Sequence, residues 1–220
     1  MTNFTAARIH MVDSQSHTMG VVTESILNAY RTIPREEFVP EGRKGVAYCD
    51  EDMPIGAGRC LMEPVTHARL MQAANPAVTD TVLDIGGASG YSPAILSKIA
   101  GRVVALEQDA SLLAHAESSW AKLGKTNIIP HQGPFAEGEA EYGPYDLIFV
   151  NGSVCELPQS WLDQLAVNGK LVVVIRKADD KIGRAMLYMK SQHGTISDRV
   201  LFDAAVPYLP GFEPRRAFVF

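Results

Sequence analysis

Apolar positions in the first third of the chain fall at roughly helical spacing only in short runs. In "VVTESILNAYRTI", Val22, Ile26, Leu27, Tyr30 and Ile33 share one face, which predicts an amphipathic helix with Thr18 or Thr23 as its cap. The following "PREEFVPEGRKGVAYCDEDMPIGAGR" interleaves proline, glycine and charge too often for a regular element and is expected to be mostly irregular. "PVTHARLMQAA" predicts a second helix, with Pro64 in the first turn, where its missing N–H leaves nothing unsatisfied.

From Thr81 the pattern changes. Apolar runs alternate with helical ones: "TVLDIG", "RVVALE", "NIIPHQ", "YDLIFVNG" and "KLVVVIR" as strands, and "YSPAILSKIA", "ASLLAHAESSWAKLG" and "LPQSWLDQLAVNG" as helices. Strands this apolar have no wet face, so they predict a parallel sheet covered by helices on both sides. The tail, "RAMLYMKSQHGTISDRVLFDAAVPYL", divides at "QHGT" into two longer segments and predicts an antiparallel hairpin that finishes the sheet. The expected division is an N-terminal helical and irregular region, 1–72, and a ligand-binding core, 73–220, within one compact domain.

Composition narrows the function. The 220 residues carry a formal net charge of −5, which argues against general nucleic-acid binding, and no long apolar run predicts a membrane span. The longest aliphatic run is "LVVVI", Leu171–Ile175, and no basic-then-apolar leader opens the chain. Cys49, Cys60 and Cys155 form no C-x-x-C pair and no cluster with histidine, so no metal site is expected and a reducing cytoplasm is the expected compartment.

The densest chemical signal is "LDIGGASGY", at the end of the first core strand. Gly86, Gly87 and Gly90 permit a tight turn and close approach of a ligand, and Asp84 stands just inside the strand end. Glu107 ends the second strand 17 residues after Gly90, near the spacing at which an acid meets ribose hydroxyls. A dinucleotide and S-adenosylmethionine both suit an acid there. Asp84 favours the methyl donor, because a carboxylate beside the turn repels a pyrophosphate and attracts the ammonium of an amino acid.

Five segments together, "IPREEFVPE", "AYCDEDMPIGAGR", "VLDIGGASGYSPAILSKIA", "VVALEQD" and "GPYDLIFVNGSVCELPQSWLDQLAVNGKLVVVI", resemble the protein-L-isoaspartate O-methyltransferases. The likeness covers nearly the whole chain and is greatest to the short bacterial members. It implies an α/β class I methyltransferase fold, a Rossmann-like doubly wound sheet with a C-terminal antiparallel hairpin, and S-adenosylmethionine as cofactor. It further implies methylation of the α-carboxylate of L-isoaspartyl residues in damaged proteins. Asp84, Gly86, Gly87, Ser89 and Gly90 would meet the methionine end of the cofactor, Glu107 the ribose, and Gln108, Gly133 and Pro134 the adenine side.

No general base is required, since a carboxylate is ionised at neutral pH, and in-line positioning carries the rate. The chain departs from the family on the acceptor side. Where G-Q-T-I-S-x-P is usual, "GRCLMEP" puts Arg59, Cys60 and Met62, replacing two hydroxyls by a weak donor and a thioether. Arg59 would compensate by gripping a carboxylate through its planar fork, and Asn151 stands at the end of the fourth strand, facing the expected pocket. Pro134 replaces an adenine-binding acid, for which Glu137 is the nearest substitute. His67, on the helix after the loop, reads as a packed residue rather than a catalytic one. Two other readings remain open: the same fold acting on another acceptor, and a non-catalytic relative.

Overall fold

In the computed structural model, which describes residues 3–214, nine strands and six α-helices account for most of the chain. Helix α1, Phe4–Met11, starts at Asn3, whose side chain accepts from the Ala6 N–H at 3.1 Å. It loosens into a π turn over Val12–Ser16 and a 3-10 turn over His17–Met19, then stops at Gly20, where φ is 90°. Helix α2, Glu24–Thr32, buries Ile26, Leu27 and Tyr30 as the apolar spacing predicts. Neither threonine caps it. Thr18 bonds back to Ser14 and Gln15, and the helix start is held instead by Gln72, whose Oε1 accepts from the Val22 and Thr23 N–H groups at 3.0 Å each.

The stretch expected to be irregular contains two 3-10 turns, Arg35–Phe38 and Glu41–Val46, and a small hairpin. Strands β1, Met53–Gly56, and β2, Arg59–Leu61, pair antiparallel. Ala57 and Gly58 between them both have positive φ, 51° and 68°, the two-residue arrangement whose twist suits a hairpin. Such short strands leave no alternation for a sequence to display. Helix α3, Pro64–Ala74, follows as expected.

The main sheet consists of β3 (Thr81–Ile85), β4 (Arg102–Glu107), β5 (Ile128–Gln132), β6 (Tyr145–Val154), β7 (Leu165–Ile175), β8 (Gly183–Lys190) and β9 (Ile196–Ala204). Its seven strands run in the order β5-β4-β3-β6-β7-β8-β9, with the first five parallel and the last two antiparallel. The order reverses between β3 and β6, and the carboxyl ends of those strands bound the crevice where such sheets take ligands.

Helices α4 (Tyr91–Leu96), α5 (Ala110–Lys122) and α6 (Gln159–Asp163) connect these strands. Helix α4 ends earlier than its pattern predicts: i→i+3 bonds from Lys98 and Ile99 tighten its last turn while Ile99 and Ala100 stay buried. The helix expected over "LPQSWLDQLAVNG" is shorter too. Leu165 already pairs with Tyr145, and Ala166–Gly169 bulge from β7, with Asn168 at φ 64°. One apolar cluster joins the N-terminal helices to the sheet through Tyr30, Tyr91 and Phe149. Met53, Leu61 and Met62 belong to the same cluster, which packs the 53–62 hairpin region with them.

Candidate functional site

Asp84, at the end of β3, is completely buried. Its Oδ2 accepts from the Ser92 hydroxyl and from Asn151 Nδ2 at 3.0 Å, and its Oδ1 has no partner. Burial pushes the acid up to about 7, against the two hydrogen bonds that favour the charged form. The turn that follows is closed around it. A side chain on Gly87 would lie 2.3 Å from Asp84 Oδ1, and one on Gly90 would lie 2.7 Å from Ala116 Cβ. Gly90 also takes φ 96°, and its carbonyl accepts from Trp120 Nε1 at 2.8 Å, which fixes the turn against α5. Ala88 holds φ 55° without being glycine, and its N–H reaches Glu107 Oε2 at 3.1 Å.

Glu107, at the end of β4, is 2% exposed and heavily partnered. Besides Ala88, the N–H groups of Gln108 and Asp109 donate to Oε1 at 3.0 and 3.1 Å. The remaining partner is Arg59. Its Nη1 lies 2.8 Å from Oε1 and 2.9 Å from Oε2, and its Nη2 donates to the Gly86 carbonyl at 2.6 Å. The guanidinium also lies over the Phe135 ring, 5.2 Å from its centre, and both members of the ion pair are almost wholly buried. Arg59 therefore grips a carboxylate, through Nη1 alone rather than through its planar fork, and the carboxylate is the chain's own and not an acceptor's. β2 brings Arg59 across 48 residues of sequence to the strand end where an S-adenosyl ribose is expected.

Cys60, Met62 and Asn151 do converge. With Arg59 they line one narrow cleft that Asp52, Tyr208 and Leu209 close from the other side. Burial, followed by the Asp52 charge, pushes the Cys60 thiol up, so it is a protonated wall rather than a nucleophile. The Met62 carbonyl accepts from Arg35 at 2.8 Å. Asn151 donates to Asp84 and to the Ile85 carbonyl at 3.2 Å, which joins the acceptor side to the cofactor side. His67 is a packed residue: it is 2% exposed, bonds Tyr30 through Nδ1, and is held neutral at about 3 by burial and by the Arg35 charge.

Other expected residues lie apart from that cleft. The Ser89 hydroxyl donates to the Phe38 carbonyl at 2.6 Å and lines a separate groove with Leu112 and His115, so it ties the N-terminal region down rather than facing the crevice. Gln108 and Pro134 are exposed, and Gly133 donates its N–H to the Glu107 carbonyl at 3.2 Å. Glu137 is exposed as well, whereas the buried acid near it is Glu139, 2.5 Å from His131 Nε2. Sequence reasoning missed Leu209 and Asp52. Leu209 carries no motif; only the structure brings its Cδ2 to 2.7 Å from where a side chain on Gly86 would begin.

The donor set fits an S-adenosyl compound. Asp84 Oδ1 is the buried acceptor an ammonium would satisfy, and Glu107 is an acceptor pair for a diol. The volume is another matter. The space beside Arg59 and Leu209 is about 10 Å³, and that beside His67 and Gly87 about 10 Å³, each enough for roughly one water. The chain's own side chains fill the cleft.

Residues 7–212 match the family model described as protein-L-isoaspartate(D-aspartate) O-methyltransferase. Among curated proteins, the protein-L-isoaspartate O-methyltransferase of Koribacter versatilis is 35% identical over 98% of this chain and 97% of its own length. Protein-L-isoaspartate O-methyltransferase 1 of Rhodopseudomonas palustris is 38% identical over 79% of this chain and 71% of its own. A solved protein-L-isoaspartate O-methyltransferase superposes with a TM-score of 0.82 at 26% identity, covering 94% of this chain and 67% of that one. A Plasmodium falciparum structure described as such a methyltransferase, in complex with S-adenosyl-L-homocysteine, superposes with a TM-score of 0.75 at 21% identity, covering 92% of this chain and 97% of that one.

Proposed function

The chain belongs to the protein-L-isoaspartate O-methyltransferase family, and from that premise we propose that it methylates the α-carboxylate of L-isoaspartyl residues in damaged proteins. The observation that carries the reading is the set of Asp84, the glycine turn and Glu107 at the point where the strand order reverses. When bound, S-adenosylmethionine would supply an electrophilic methyl group to an acceptor carboxylate that is already ionised. Asp84 would be the counter-charge for its ammonium, and Glu107 the acceptor for its ribose. The acceptor carboxylate would lie against Cys60, Met62 and Asn151, whose amide is held by Asp84 and the Ile85 carbonyl. Because the nucleophile arrives charged, these residues need only orient it and exclude water. Three free cysteines suit a reducing compartment such as the cytoplasm.

Incubation with an isoaspartyl peptide and radiolabelled S-adenosylmethionine tests the reading. The expected result is base-labile label on that peptide and none on its aspartyl counterpart. Label on neither peptide would sink it. A second reading is favoured by the loss of both hydroxyls at Cys60 and Met62: the same transfer to another carboxylate. Labelling of a small-molecule extract while the peptide stays unlabelled would select it.

A further inference from the structure

We propose that Arg59 is a built-in competitor for the cofactor's ribose: it occupies the diol-binding carboxylate of Glu107, and the nucleoside binds only by displacing it. This rests on the reading of Glu107 as the ribose acceptor and adds what governs access to it.

A carboxylate has about four lone-pair sites. Here Oε1 already takes Arg59 Nη1, Gln108 N and Asp109 N, and Oε2 takes Arg59 Nη1 and Ala88 N. Two incoming hydroxyls need some of these places. The backbone donors cannot leave without undoing the glycine turn and the start of α5. Arg59 is the one partner on a side chain, carried by a short hairpin whose strands are paired at only three positions. Its guanidinium also fills the volume in question, since Nη2 lies 3.0 Å from where a Gly86 side chain would begin and Cζ stands over Phe135.

The ion pair is desolvated, so displacement is opposed by a charge-assisted contact worth more than a neutral one. A neutral side chain at position 59 removes the competitor and leaves Glu107 with its three backbone donors. The carboxylate is then still partnered, so the variant retains the reason the strand end folds as it does.

The experiment is calorimetric titration of wild type and Arg59→Gln with S-adenosylhomocysteine. Arg59→Gln is expected to bind at least about tenfold more tightly. Equal or weaker binding by the variant overturns the proposal and leaves the cofactor reading standing, provided the wild type binds. Failure of both proteins to bind overturns the proposal and the cofactor reading together. Silence of wild type on the isoaspartyl peptide, with the tenfold difference intact, overturns only the acceptor assignment. Should Arg59→Gln not fold, a crystal structure of wild type grown with saturating S-adenosylhomocysteine decides the matter. A guanidinium withdrawn from Glu107 supports the proposal; one still bonded to Glu107, or no ligand bound, overturns it.

Discussion

Asp84 is a carboxyl group without solvent, held by one hydroxyl and one amide, with its second oxygen unpartnered. Its folded-state value of about 7 lies above the ordinary 3.8, so the fold binds its proton more tightly than the unfolded chain does. The stability from that proton is fully present below about pH 4 and is lost as pH rises through about 7. Urea unfolding of wild type and Asp84→Asn across this window should show wild type losing on the order of 2–4 kcal/mol relative to the variant. A difference that stays flat with pH would mean the buried acid is ionised throughout. Asp84 and Glu107 can be read from sequence because each ends an apolar strand, and strand ends in such sheets face the ligand crevice. The partner of Glu107 cannot be read that way. Arg59 lies 48 residues earlier, in a hairpin too short to show a period, and its contact exists only once three elements have packed.

At the scale of elements, the start of α2 shows how one helix is capped by another. Thr23 occupies the N-cap position without capping through its own side chain. Gln72 on α3 accepts from both Val22 and Thr23 N–H and donates to the Thr23 hydroxyl at 2.8 Å. Gln72→Ala returns the two N–H groups to water and should lower the unfolding free energy by about 0.5–1.5 kcal/mol. An unchanged urea midpoint would show that water replaces the glutamine at no cost. The preference of threonine for N-caps predicted a local solution here, and tertiary packing supplied a distant one. Helix α3 is readable from its period, and the parallel strands from short apolar runs set between turn residues. The bulge at Ala166–Gly169 and the early end of α4 are not, since apolar residues run on past both points.

For the molecule as a whole, the segment after β9 is part of the sheet's ligand edge rather than a tail. It returns to β6, where Ser153 donates to the Pro207 carbonyl at 2.8 Å and Leu209 donates to the Ser153 carbonyl at 2.9 Å. Leu209 is 1% exposed and packs against Gly86 and Gly152. Leu209→Ala should therefore destabilise by about 2–5 kcal/mol in urea denaturation, as a core position does. A loss below about 0.5 kcal/mol would mark the segment as loosely attached, as surface positions are. The crossing also imposes an order on biosynthesis. Asp84, the glycine turn, Glu107 and Asn151 are all translated before Leu209, and their strands can pair while later residues are still being added. A nascent chain halted before Leu209 thus carries every residue expected to hold the cofactor, and still lacks one wall of the cleft.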